Sequence, residues 1–324
     1  MTRLDAQTEG SRREATERIS LESFERLLPQ DREAAVGETR GFRGHWRASW
    51  DALRRDRVGM VCLAVLVALA IVAICAPLIA PCDPYAQSLR ERLLQPGPTH
   101  LLGTDELGRD ILSRVIYGCR VSLAVGVCSQ ALAVVIGFAI GASAGYLGDV
   151  VDSVLSFVIQ GFSSFPLILF ALVTMYALGP GLTNLFVALG LLMWTTTARL
   201  VRAEVLRLRS QEYVMACVVS GGSRMRVIAR HLFPNCLPTL VLCVTLGIPN
   251  AILCEASLSF LGLGVQPPMA SLGQMIATAQ PYLVTCPWYS IAPGAAIMGI
   301  VLALNMLGDA VRDAFDPRAE RQGG

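Results

Sequence analysis

The chain contains no lysine; all 27 of its basic residues are arginine. That absence excludes a P-loop nucleotide site, whose lysine must reach the β- and γ-phosphates. Charge of either sign is scarce, at 16% of 324 residues, and a net charge of +2 is too weak to point to a nucleic-acid partner. Histidine is rarer still: His45, His100 and His231 are the full set, and none lies inside an apolar run. An intramembrane serine protease needs a histidine within the bilayer, and a zinc protease needs HExxH, which is absent. Neither chemistry fits. The ten cysteines include no CxxC pair, and most sit in apolar runs where cysteine acts as a small buried hydrophobe. No catalytic residue, metal site or cofactor is expected.

Apolar residues are abundant instead, at 53% of the chain, with a mean hydropathy of +0.53. Such a chain has the bilayer as its solvent. A hydrocarbon core of about 30 Å takes about 20 apolar residues per helix. Six segments qualify: 58–80, 120–145, 152–177, 182–201, 237–260 and 288–308. The expected fold class is therefore an all-α membrane protein with six transmembrane helices. The first 57 residues carry twelve arginines and lack the apolar core of a cleavable signal, and the 199–234 segment carries seven more. Loops 177–183 and 261–287 carry none. Excess basic charge marks the cytoplasmic side, which places both termini and the 199–234 segment there. Arg90, Arg92, Arg109 and Arg114 in the 81–119 segment run against this alternation. Cys82 and Cys286 then share the outer side, and a disulfide between them is left open.

The expected organisation has four parts. Residues 1–57 form a polar cytoplasmic tail, its 43–57 stretch an amphipathic anchor along the headgroups. Residues 58–118 form the first span and an outer segment. Residues 119–312 hold five further spans with a cytoplasmic loop at 205–235, and 313–324 is a cytoplasmic tail. Residues 105–118 read as an amphipathic helix in which Asp110 and Arg114 make an i,i+4 pair. Pro166 and Pro249 interrupt hydrogen bonding in the third and fifth spans. Gly137, Gly141 and Gly145, four apart, make a smooth helix face suited to close packing.

The cytoplasmic loop is the most informative segment. Gln211–Ser220 suits a short helix with an almost wholly apolar surface, and Gly221-Gly222 ends it. Ser223 suits the N-cap of a second helix in which Met225, Ile228 and Leu232 share a face, and Pro234 closes that helix. An apolar helix outside the bilayer needs a cover: either this chain's own membrane ends or the groove of a partner. Glu255 is the one acid deep in an apolar run. A charge at mid-helix costs about 2.5–3.5 kcal/mol on insertion scales, so it must face protein or a water-filled path. It either lines a translocation path or braces the loop that follows it.

The segment from Glu212-Tyr213-Val214 through Gly221 to Phe233-Pro234-Asn235 resembles the EAA loop of ABC importer permeases. Gly103–Arg114, Gly179–Asn184, Leu258–Pro268, Asn305–Asp309 and Asp316–Arg318 are similar to motifs of the dipeptide/oligopeptide (peptide/nickel) C-type family of binding-protein-dependent permeases. The resemblance covers about residues 45–320. It implies a helix-turn-helix coupling loop seated in an ATPase. It also implies a second homologous permease subunit, two cytoplasmic ATPase subunits that hydrolyse the ATP, and an extracytoplasmic substrate-binding protein. The implied location is the bacterial inner membrane, and the implied cargo is short peptides, with nickel chelates, glutathione or another small solute as alternatives. Carried over by position, the ATPase-coupling residues are Glu212, Met215, Ala216, Cys217, Gly221 and Pro234. Met215 stands where the family usually has glutamate, and Cys217 where it has a second alanine. An ion-coupled secondary transporter is the remaining rival, but it normally shows several intramembrane ionisable groups, and here Glu255 is nearly alone.

Overall fold

A computed structural model describes residues 42–315. The motif at Asp316–Arg318, the tail from 316 onward and the first 41 residues lie outside the described residues. The chain divides into two units after Asp51; apart from α1, which spans the division, the architecture below is that of the second. Helix α1 (Phe42–Arg55) leads to α2 (Arg57–Ile74) and the short α3 (Ala76–Ile79). Helix α2 starts where it does because Asp56 caps it, accepting from the backbone N–H of Val58 and Gly59. After a segment of turns come α4 (Ile111–Leu147), α5 (Asp149–Ser163), α6 (Leu167–Leu178) and α7 (Leu182–Arg209). Helices α8 (Glu212–Val219) and α9 (Arg224–Val227) follow, then a π-turn at Ile228–Leu232 and α10 (Phe233–Phe260). The described residues end in α11 (Leu272–Ala279) and α12 (Pro287–Phe315). Among the described residues there is no strand.

Five helices are long and apolar enough to cross a membrane, or six spans if α5 and α6 count as one broken span. The third expected span is not one rod. Its halves meet at 87° around Ser164-Phe165-Pro166. Proline has no N–H to give the preceding turn and disfavours helix in the residue before it, so the chain breaks here instead of bending slightly. Asp152 on α5 is tied to α7 by the Arg202 guanidinium, whose Nη2 donates to its carboxylate at 2.7 Å.

Helices α4 and α7 form the centre of the bundle. Their approach is set by missing side chains: a Cβ built at Gly137 would lie 2.6 Å from Thr197 Cβ, and one at Gly141 only 2.4 Å from the Ala198 carbonyl oxygen. At Gly145 it would meet Val205 at 2.9 Å, and in the other direction Gly190 on α7 receives Leu132 at 2.6 Å. Without a hydrophobic drive between helices in lipid, such close backbone contact is what holds them together. Gly141→Leu is expected to lower the stability of the detergent-solubilised chain by about 3 kcal/mol, the upper range for overpacking. Gly161→Leu, where a Cβ meets nothing within 4 Å, leaves it unchanged. Equal melting temperatures for the two variants would contradict this.

The segment before α4 differs from its sequence expectation. Residues 105–110 are not helical; Thr104 and Asp110 pair across a short bridge, and the helix begins at Ile111. Gly103 (φ +75°) and Gly108 (φ +73°) turn the backbone into the left-handed region, which ends any amphipathic helix before it starts. The expected Asp110–Arg114 pair is not formed. Asp110 instead caps α4, its Oδ2 accepting from the Ser113 N–H at 2.8 Å and the Ser113 hydroxyl at 2.7 Å. Arg114 reaches back to the Pro84 carbonyl at 3.2 Å and to Asp105 at 3.5 Å, while Arg109 Nε donates to Asp105 Oδ2 at 2.6 Å. Both arginines are buried in these pairs. Cys82 and Cys286 are both free thiols.

Candidate functional site: the 205–235 loop and a buried carboxyl

Helix α8 hangs from the end of α7 through Ser210 and Gln211, the latter extended at φ −73°, ψ 142°. Its two faces have different fates. Val214, 1% exposed, packs inward with Val201, Val205 and Leu208 of α7 and with Val227, Leu232 and Cys236. Met215 (50% exposed) and Val219 (87%) point away from the chain with Ala216 and Val218. Tyr213 is half exposed, with its ring 6.0 Å from that of His231. Of the two covers considered from sequence, the membrane ends of this chain cover Val214, while nothing in the second unit covers Met215 and Val219.

The hinge follows from hydrogen bonds. The Gly222 N–H bonds the Cys217 carbonyl at 2.9 Å and the Gly221 N–H bonds that of Val218 at 3.0 Å, the two bonds of a Schellman cap. Such a cap needs a left-handed residue after the helix, and Gly221 supplies it at φ +79°. Gly222 is required for a different reason, since a Cβ there would sit 2.7 Å from Cys217 Sγ and 2.8 Å from its carbonyl oxygen. Ser223 then caps α9, its hydroxyl accepting from the Arg226 N–H at 3.3 Å.

Pro234 does not close the second helix. It lies in the first turn of α10, and Arg224–Phe260 runs on as one 37-residue helical stretch. The π-turn at Ile228–Leu232 joins α9 to α10 just before this proline. It also changes which residues align. Val227 and Leu232, five apart, both point into the cluster around Val214, whereas Met225 is 72% exposed. The expected shared face of Met225, Ile228 and Leu232 is therefore split.

Glu255 lies in α10 near its other end and is fully buried. The hydroxyls of Ser259 and Ser271 each donate to Oε1 at 2.7 Å, and that of Ser122 donates to Oε2 at 3.0 Å. Ser259 in turn accepts from the Val265 N–H at 3.2 Å, which joins the carboxyl to the loop after α10. Two glycines permit this closeness: a Cβ at Gly264 would overlap Ser259 Oγ at 2.0 Å, and one at Gly273 would meet the Ala256 carbonyl at 2.3 Å. Of the three serines, only Ser259 had a sequence signal, being one helical turn from Glu255. Ser122 comes from α4 and Ser271 from the residue just before α11. Of the residues expected to couple to an ATPase, Glu212, Met215, Ala216, Cys217 and Gly221 are together on α8 and its cap; Pro234 stands apart at the start of α10, and Glu255 lies further along the same helix.

Residues 137–321 match the family described as binding-protein-dependent transport system inner membrane component, and residues 44–96 match the N-terminal TM domain of oligopeptide transport permease C. Relatives extend over most of the chain. The dipeptide transport system permease protein DppC of Alkalihalophilus pseudofirmus is 36% identical over 290 residues, 90% of this chain and 93% of its own length. DppC of Bacillus subtilis is 37% identical over 84% of this chain and 86% of its own. The nickel transport system permease protein NikC of Escherichia coli is 41% identical over 79% and 92%. With its several membrane-spanning helices and a match over more than half its length, this chain belongs to the family of binding-protein-dependent transport system inner membrane components, and is a transport permease and not an enzyme.

Proposed function

We propose that this chain is one of two permease subunits of an ATP-driven importer, and that it forms half of a path for short peptides. Two separate ATPase subunits in the cytoplasm supply the energy, and an extracytoplasmic binding protein delivers the cargo. The observation that carries this is α8: an apolar face bearing Met215 and Val219, held outside the bundle by its own buried Val214. A helix face of this kind suits insertion into a groove on an ATPase. Met215 in place of the usual glutamate makes the contact apolar at that point, and Glu212 remains on the same helix as the available carboxylate. The basic 199–234 segment, together with both termini, is assigned to the cytoplasm.

The α5–α6 break supports a second permease subunit. Non-helical backbone at membrane depth persists only where protein or water covers it. The break at 164–166, with Phe165 61% exposed, belongs at the seam between the two permeases, along the translocation path. Glu255 is assigned a bracing role: three serine hydroxyls occupy its oxygens and it has no exposed surface for cargo. Peptides are favoured as cargo because both DppC relatives are named dipeptide permeases and match over most of the chain; NikC, 41% identical over a shorter stretch, keeps nickel chelates, or another small solute, as the second reading.

Affinity-tagged chain is expected to co-purify with two ATPase subunits and a second permease. Uptake of a labelled dipeptide by vesicles loaded with ATP and supplied with the binding protein should be blocked by vanadate. Uptake that instead follows an imposed proton or sodium gradient, with no ATPase present, would overturn the proposal.

A further inference from the structure

Three side chains with metal-ligand chemistry meet in the segment before α4, from positions far apart in sequence. The Cys82 sulfur, a ring nitrogen of His100 and a carboxylate oxygen of Asp110 lie within 4.8 Å of one another. We propose that they form a site for a zinc-class divalent ion, with three protein ligands and one position left to water. Thiolate, imidazole and carboxylate together are the donor set that zinc takes. Tetrahedral bonds of about 2.0–2.3 Å set ligands roughly 3.3–3.7 Å apart, so closing on an ion asks about 1 Å of movement. His100 Nδ1 and Asp110 Oδ1 are already 2.9 Å apart.

The surroundings orient these ligands. Ser113 is fully buried and holds two of them: its N–H and hydroxyl donate to Asp110 Oδ2, and its hydroxyl oxygen accepts the Cys82 N–H at 3.1 Å. That leaves Asp110 Oδ1 free to turn from His100 to an ion. The His100 carbonyl accepts the N–H groups of Gly97 and Gly103, both at 2.9 Å, which fixes the loop carrying the imidazole. Such partners behind the ligands are typical of a metal centre. Asp110 is buried, but Cys82 and His100 are partly exposed, which gives an ion a way in. A bound ion would clasp three stretches of the segment joining α3 to α4, and this role is separate from any metal the transporter carries as cargo.

The test uses the full-length chain, reduced and freed of reductant in detergent, titrated with Co²⁺ as a spectroscopic substitute for zinc. The wild type is expected to develop a thiolate-to-cobalt absorption band in the near ultraviolet. Cys82→Ser should lose the band, and His100→Gln should weaken cobalt binding at least about tenfold. Independently of any variant, saturating Zn²⁺ should protect Cys82 of the wild type from alkylation, read by mass spectrometry. No band in the wild type, a band that survives Cys82→Ser, or alkylation of Cys82 unaffected by Zn²⁺ would each overturn the proposal.

Discussion

Gly221→Pro is expected to abolish ATP-driven uptake while the chain still inserts and folds. Proline holds φ near −65°, and the native residue has φ +79°, so the Schellman cap cannot form around it. The substitution also removes the N–H that bonds the Val218 carbonyl. A misfit of about 3 kcal/mol disfavours the coupled geometry of α8 and α9 roughly 100-fold. Insertion should survive, because a Cβ at this position meets nothing within 4 Å and no membrane helix packs on it. Gly221→Asn is the control: asparagine tolerates the left-handed region, and most of the uptake should remain. Were the proline variant to transport dipeptide at the wild-type rate in ATP-loaded vesicles, α8 would not be the coupling element.

Glu255→Leu is expected to destabilise the chain by about 2–5 kcal/mol, because each buried hydroxyl left without its partner costs about 1–3 kcal/mol. Ser122 and Ser271 lose their acceptor outright, and Ser259 keeps only the Val265 N–H. Glu255→Gln should be close to neutral in stability: its oxygen can still accept from Ser259 and Ser271, and its amide can donate to Ser122. The pair separates the two roles. Bracing predicts that stability and uptake fall together in the leucine variant and that both persist in the glutamine variant. A glutamine variant that folds normally but fails to transport would move Glu255 to the translocation path. A leucine variant that melts with the wild type would remove the brace.

Hydropathy located the membrane-crossing segments well because span length and apolar content are properties of composition. It did not reveal the break at 164–166, where Phe165 and the Leu167–Phe170 run keep the window hydrophobic while the backbone turns through 87°. Windowed hydropathy senses side chains and not hydrogen-bond continuity. The 105–118 misreading has a related cause. Leu107, Ile111 and Leu112 fit helical spacing, but Gly103 and Gly108 both have positive φ, and Asp110 just ahead of an apolar run is an N-cap residue whose carboxylate goes to the Ser113 N–H and not to Arg114. The Gly221 turn was legible, since a double glycine after an apolar helix has few other uses. The π-turn was not, as no residue type in Ile228–Leu232 demands one. Sequence could not connect Cys82, His100 and Asp110 because the loops between them, not a periodic element, bring them together.

The unbroken helical stretch from Arg224 to Phe260 gives the molecule mechanical leverage. At 1.5 Å per residue its 37 residues make a rod roughly 55 Å long, with the glycine cap at one end and the serine-bound carboxyl toward the other. A tilt of about 10° around the cap end would swing the far tip by roughly 10 Å, more than the width of a helix backbone. Movement imposed at the water-exposed foot therefore need not pass through a relay of side-chain contacts to reach the opposite membrane surface. On the proposed coupling role, one continuous helix would carry that movement, and the turns at Pro238 and Pro249 would set how much of the swing is absorbed on the way.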